Sequence, residues 1–243
     1  MRLPFLKPQA AALLWIEQHR ILAGSHERPL AGLPTGDELA QALSALPVGP
    51  TRWVVDDLWM PTIQLRDLGE LPRGAEAQEA FFRWRYAQTL ALDAPHAVQA
   101  LAIEPGVWLA TGISEALRES WLPLAQRLDR PVRTLVPRWL QLYNQLAPFQ
   151  ELPGMLLSLA PEGKAGYTGT LVAWGRTLTL LRQWQEPLSP EGWNEDRIAP
   201  SVAFLQREAR TPQNLLVWGA EEWPEQGLPI QHLDSGIALA ESR

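Results

Sequence analysis

The sequence predicts an α/β protein built as two halves. Three observations carry that expectation. Short apolar runs of strand length alternate with amphipathic stretches of helical spacing. The runs in 11–24, 98–111 and 167–184 are each interrupted by a short polar or Gly-containing break, as hairpins are. A Pro-marked interval, Pro148 to Pro153, separates a longer first half from a shorter second one.

The elements follow in order. Residues 11–24 (AALLWIEQHRILAG) place apolar residues on both sides of Glu17–His19 and predict a hairpin. Thr35 or Asp37 can cap a helix through Leu46, with Leu39, Ala42, Leu43 and Leu46 on one face and Pro47, Gly49 and Pro50 as its stop. Strands are predicted over Arg52–Val55 and Thr62–Leu65, ahead of the break Leu71-Pro72-Arg73-Gly74. From Ala75 to Leu90 the stripe Phe82, Tyr86 and Leu90 opposes Glu76, Glu79, Arg83 and Gln88, the pattern of a helix packed on the first lobe's sheet.

Val98–Ile103 and Val107–Thr111 flank the turn Glu104-Pro105-Gly106 and predict a second hairpin. A helix opened by Ser114 and Glu115 and running to about Leu128, a short buried strand Val132–Val136 and a helix Arg138–Leu146 complete the first half. The second half opens with strands over 154–160, 167–174 and 177–184, the last two turning at Gly175-Arg176. Residues 185–197 read as loop, Ile198–Arg210 as helix and Leu215–Trp218 as strand, before a tail of Pro- and Gly-broken pieces.

Composition narrows the function. The chain has 243 residues with 46% apolar content, which suits a folded protein rather than disorder or collagen. A formal net charge of -6 argues against nucleic acid, because phosphate binding needs clustered Lys and Arg. With 0 Cys there is no thiolate nucleophile, no Cys-held metal and no disulfide, and a reducing compartment is the expectation. The apolar run Ala11–Ile16 is too short to span a bilayer, and Glu17–Arg20 stand where a signal peptide would be cleaved.

Catalytic motifs are weak. Gly163-Lys164 lacks the flanks of a phosphate loop and reads as a turn between strands. Gly112-Ile113-Ser114 reads as a strand running into a helix cap. His19, His26, His96 and His232 have no partner at helical metal spacing. Asp56-Asp57 and Glu221-Glu222 are tandem acids, but neighbours on a strand point to opposite faces. Trp15, Trp53, Trp59, Trp84, Trp139 and Trp174 could stack sugars, as in a carbohydrate-binding module, yet they fall mostly inside apolar segments, which suits core packing.

Residues 52–92 (RWVVDDLWMPTIQLRDLGELPRGAEAQEAFFRWRYAQTLAL) resemble the actin-like assembly-platform proteins of bacterial type IV pili and type II secretion, the PilM and GspL type. The matching residues are Val54, Val55 and Asp56, then Leu71-Pro72, then Glu79, Arg83, Trp84 and Arg85. PVRTLVPRWLQLYNQLAP (131–148) is similar to the family's return strand and helix, TLVAWGRTLTLLRQW (170–184) to its second hairpin, and 198–230 to its last helix and strand. The resemblance implies a two-lobed actin-like (ribonuclease-H-like) α/β fold with a reduced second lobe. It places a first lobe at 1–148 with an inserted subdomain around 52–104, and a reduced second lobe at 149–243.

The departures from the family bear on mechanism. Nucleotide-binding actin-like proteins use an Asp-x-Gly hairpin in each half, a Lys and a Gly-Gly turn under the adenosine. Here the first hairpin offers only Glu17, the second reads Tyr167-Thr168-Gly169, and the adenosine turn reads Gly219-Ala220-Glu221. The resemblance therefore implies no enzyme activity and no cofactor or metal. It implies a cytoplasmic scaffold, peripheral to the inner membrane, that binds a PilN-like cytoplasmic tail of a membrane partner, with an assembly ATPase as a further partner and no direct membrane insertion. An ATP-binding or ATP-hydrolysing member of the superfamily is the alternative. The partner-binding residues expected from it are Trp59, Met60, Phe81 and Trp84, beside the 52–90 segment.

Overall fold

A computed structural model describes residues 11–146, 152–175, 177–224 and 227–233. The expected linker Pro148–Pro153 falls largely outside the described residues, and Arg176 of the expected turn does so too. Packing groups the chain into two compact units, residues 1–56 with 115–136, and residues 57–114 with 137–243.

The first unit is a five-stranded sheet with helices. β1 (Ala12–Glu17) and β2 (Arg20–Ala23) form the expected hairpin, and β3 (His26–Pro29) extends it antiparallel. β4 (Thr51–Val55) lies parallel to β1 on the other side, and β8 (Val132–Pro137) closes the order β3-β2-β1-β4-β8. A parallel return from β1 to β4 needs a crossover, and α1 (Gly36–Ser44) supplies it. Thr35 and Glu38 make a reciprocal capping box: the Glu38 N–H donates to Thr35 Oγ1 at 3.3 Å, and the Thr35 N–H to Glu38 Oε2 at 2.8 Å. Leu39 and Leu43 are wholly buried, and α1 packs beside α3 (Glu115–Arg127), whose Trp121 ring meets Trp53 at 6.1 Å. β8 was expected to be buried, but only Pro137 is, because it is an edge strand with one partner.

The second unit holds two sheets. β5 (Thr62–Arg66), β7 (Val107–Ser114) and β6 (His96–Glu104) form a three-stranded antiparallel sheet in the order β5-β7-β6. α2 (Ala75–Thr89) packs on this sheet, where Phe82 and Tyr86 meet Ile63, Leu65 and Ala110. The expected stripe is therefore correct, while the sheet it covers is this separate one and not the five-stranded sheet.

The other sheet runs β11-β10-β9-β12-β13, from β9 (Gly154–Pro161), β10 (Tyr167–Trp174), β11 (Leu178–Leu188), β12 (Leu215–Trp218) and β13 (Ile230–Leu233). β9 is buried from Gly154 to Ala160, a continuous run that fits a strand covered on both faces. α4 (Arg138–Gln145) contacts β9. Trp193, Ile198 and Leu205 cover Met155, Leu157 and Leu159 from α5 (Pro190–Trp193), a π-helical turn Asn194–Ile198 and α6 (Ala199–Arg207). The expectation of a loop over 185–197 is corrected here, because β11 continues to Leu188 and the helical segments follow at once. Pro187, Pro190 and Gly192, read as loop signals, sit at a strand end and in the first turn of a capped helix, where each is tolerated. β3 and β13 were not expected, being four-residue strands that only pairing reveals.

The two five-stranded sheets share one topology. In each, an antiparallel three-strand meander is followed by helix and by a strand that returns parallel to the meander's first strand, β4 beside β1 and β12 beside β9. No described helix is long and apolar enough to cross a membrane.

Candidate functional site

The second unit contains a cleft of about 370 Å³ between two sheet edges. One wall is β5, the edge of the three-stranded sheet, and the other is β11, the edge of the five-stranded one. Leu90 and Leu92, just past α2, close one end. Side chains bridge the two edges. Gln183 Oε1 accepts the Thr62 N–H at 3.0 Å, while Gln183 Nε2 donates to the Asp57 carbonyl. Arg66 Nη2 donates to the Thr179 carbonyl at 2.9 Å.

Alternation along β11 explains the lining. Leu181, Gln183 and Gln185 lie two apart on one strand and so share a face, which gives this wall an apolar base and an amide rim. Ile63 and Gln64 line the β5 side, and Gln64 Nε2 is buried without a hydrogen-bond partner. The cleft thus offers aliphatic surface beside side-chain amides, which suits an extended peptide better than a charged small molecule.

The wall at β5 is held rigidly. Thr62 Oγ1 donates to Thr111 Oγ1 at 3.1 Å and accepts from Trp139 Nε1 at 3.0 Å. The Tyr86 hydroxyl donates to the Pro61 carbonyl at 2.7 Å, and burial pushes its phenol well above the usual range. Gly112 sits against the Tyr86 ring, where a Cβ would lie 3.0 Å from Cε1.

Asp57 anchors the segment leading into β5. Its Oδ1 accepts the Trp139 N–H at 3.0 Å, and its Oδ2 accepts the Ser158 hydroxyl at 3.1 Å. Ser158 Oγ in turn accepts from Arg138 Nε at 2.9 Å, and Arg138 Nη2 stands 3.9 Å from Asp57 Oδ2. Asp57, Arg138 and Ser158 are each at most 2% exposed, so this network is positioned for support rather than for contact with a ligand.

The residues expected from the sequence fall as follows. Phe81 and Trp84 lie on α2 with ring centroids 6.2 Å apart; Phe81 is half-buried against the α2 core, and Trp84 is 55% exposed with Arg85 stacked 5.6 Å from its ring centroid. Trp59 is half-buried in the turn before β5, and Met60 is 6% exposed. None of the four lines the cleft, although Met60 directly precedes its lining residue Pro61. Trp15, Trp53, Trp139 and Trp174 are buried, as core packing requires. The signal that would have pointed to the cleft is the alternation Leu181-x-Gln183-x-Gln185, hidden because 185 onward read as loop.

The expected nucleotide positions are also placed. Glu17, at the end of β1, receives the Arg20 guanidinium at 2.6 Å. Tyr167-Thr168-Gly169 is not the hairpin turn but the start of β10; the turn is 162–166, where the Glu162 N–H donates to the Gly166 carbonyl at 2.7 Å. Gly219 follows β12 at φ +90°, and a Cβ there would lie 2.2 Å from the Leu159 carbonyl oxygen. Among the described residues no cluster of three or more His, Asp or Glu could hold a metal. Glu221 and Glu222 are exposed.

No known family profile matches the chain, and no curated protein matches it either. Solved structures do. A PilM–PilN type IV pilus biogenesis complex matches with a TM-score of 0.61 at 15% identity, over 95% of this chain and 90% of that one. The cytoplasmic domain of EpsL, an inner-membrane component of the type II secretion system of Vibrio cholerae, matches with a TM-score of 0.53 at 9% identity, over 95% and 92% of the two chains. At such identities the likeness is one of fold, and the chain has the actin-like α/β fold of these two proteins.

Proposed function

We propose that this chain is a non-catalytic scaffold in the inner-membrane assembly platform of a type IV pilus or type II secretion machine, where it binds the cytoplasmic tail of a membrane partner of PilN type. The observation that supports this most is the match in fold along 95% of the chain to a PilM–PilN complex. The scaffold works from the cytoplasmic face, peripheral to the inner membrane through its partners, with an assembly ATPase as a second one. We retain the lobe division at 148/149 as part of this reading.

The cleft between β5 and β11 suits an extended tail. Leu90, Leu92 and Leu181 would take apolar side chains, and the amides of Gln64 and Gln185 would pair with peptide backbone. The Phe81–Trp84 pair is a second anchor for the same partner, since exposed aromatic groups are favoured at the centre of interfaces. Titrating the chain with the cytoplasmic tail peptide of a PilN-type inner-membrane protein tests the reading. Micromolar or tighter binding, weakened by Gln185→Arg or by Trp84→Ala, supports it; an inert peptide defeats it.

The alternative, ATP binding, draws on one feature, the 162–166 turn with Gly163, Lys164 and Gly166 between β9 and β10. Against it, neither hairpin carries the Asp-x-Gly pattern of nucleotide-binding relatives. Thermal melting with magnesium–ATP separates the two readings. A micromolar ligand at millimolar concentration adds roughly 4 kcal/mol of stability, so a rise of several degrees favours the alternative and an unchanged melt favours the scaffold.

A further inference from the structure

β6 is the outer strand of the three-stranded sheet, hydrogen-bonded to β7 on one side and to no other described strand. Proteins blunt such edges with short strands, charge or proline, because unpaired backbone groups recruit another strand. Other edges in this chain obey the rule. β3 has four residues, with Glu27, Arg28 and Pro29 among them; β8 carries Arg133 and Pro137; β11 carries Arg182, Glu186 and Pro187. β6 is nine residues long and has no Lys, Arg, Asp, Glu or Pro from His96 to Ile103.

The two faces of β6 are settled by its contacts. Val98 and Ala100 pack into the α2 core. Gln99 and Leu101 lie on the opposite face and are exposed, Leu101 at 66%, with Leu109 of β7 directly across from it. Leu101 is thus a large apolar group at an open edge.

We propose that a second copy of this chain docks here, its β6 pairing antiparallel with this β6 so that two three-stranded sheets become one. The strand is self-complementary. Pro95 bounds it at one end and the bulge between Ala102 and Glu104 at the other, leaving residues 96–102 to pair. The two-fold register that uses all of them sets Gln99 opposite its own twin, Leu101 opposite Ala97, Val98 opposite Ala100 and His96 opposite Ala102. Large faces small throughout, and the two central amides can hydrogen-bond. The net charge of -6 on each copy opposes self-association, but the seam itself brings no like charges together, since His96 to Ile103 carries no Lys, Arg, Asp or Glu.

The test exploits a chain with 0 Cys. Gln99→Cys puts one thiol on the proposed two-fold, and Glu79→Cys puts one on the exposed face of α2 as a control for random encounter. Under mild oxidation the first is expected to yield a covalent dimer and the second monomer. Sedimentation across the micromolar range is expected to show dimer for the unmodified chain, and Leu101→Lys to weaken self-association roughly tenfold or more while its thermal melt is unchanged. Monomer at every concentration, equal crosslinking at both positions, or a dimer untouched by Leu101→Lys would each overturn the proposal. Should Leu101→Lys lower the melt, Gln99→Lys asks the same question at a fully polar position.

Discussion

Asp57 caps a helix to which it does not belong: the Trp139 N–H, in the first turn of α4, donates to Asp57 Oδ1 at 3.0 Å across 82 residues of chain. Pro137, at the N-cap position, offers no side-chain acceptor, so the cap comes from a distant carboxylate. The same carboxylate takes the Ser158 hydroxyl and faces Arg138. Asp57→Ala removes the cap, the acceptor of the Ser158 hydroxyl and a carboxylate facing the buried Arg138 guanidinium, and is expected to cost about 3 to 5 kcal/mol. Asp57→Asn keeps an acceptor for Trp139 and should cost roughly half as much. Urea unfolding of the two variants checks the order.

The Tyr86 phenol couples stability to alkaline pH. Burial raises its pKa in the folded chain, so the native state holds this proton after the unfolded state has lost it. The stability it confers is complete below the ordinary phenol value of about 10 and is lost as pH rises beyond it, by up to ~1.4 kcal/mol per pH unit. Tyr86→Phe should cost about 1 kcal/mol at neutral pH, since the Pro61 carbonyl retains the Gly112 N–H at 3.3 Å, and should flatten that alkaline decline. Equal alkaline slopes for the two proteins would show that the phenol is not the titrating group.

Gly219 is required by proximity as much as by backbone angle. A Cβ there would collide with the Leu159 carbonyl oxygen at 2.2 Å, and φ is +90°. Gly219→Ala is expected to cost about 2 to 4 kcal/mol. Gly106, at φ +75° with nothing within 4 Å, bears the conformational penalty alone, and Gly106→Ala should cost about 1 kcal/mol. Paired thermal melts measure the difference.

The proposed tail-binding surfaces separate by substitution. Trp84 is 55% exposed, so Trp84→Ala should leave the melting temperature unchanged; if Trp84 anchors the partner, binding falls by roughly 2 kcal/mol. Gln185→Arg, at an exposed position in the cleft, tests the other surface in the same titration. Loss with one variant alone assigns the tail to that surface.

Local signals in the sequence determined the α/β class, the first hairpin, a helix capped at Thr35 or Asp37 and the Phe82–Tyr86 stripe of α2. Each depends on residues a few positions apart, where spacing and capping chemistry act directly. Tertiary structure decided what those elements meet. The chain shows the α2 stripe but not the sheet it covers, since Ile63 and Ala110 come from strands on either side of the helix. The four-residue strands β3 and β13 exist through pairing, because HERP and IQHL lack the continuous apolar run that marks β12 as LLVW. The Asp57–Arg138–Ser158 network and the Thr62–Gln183 bridge span from 20 to 121 residues of sequence. Contacts at such separations leave no local trace, because what selects them is the cost of burying a polar group unpaired, and burial is settled only once the fold has closed around it.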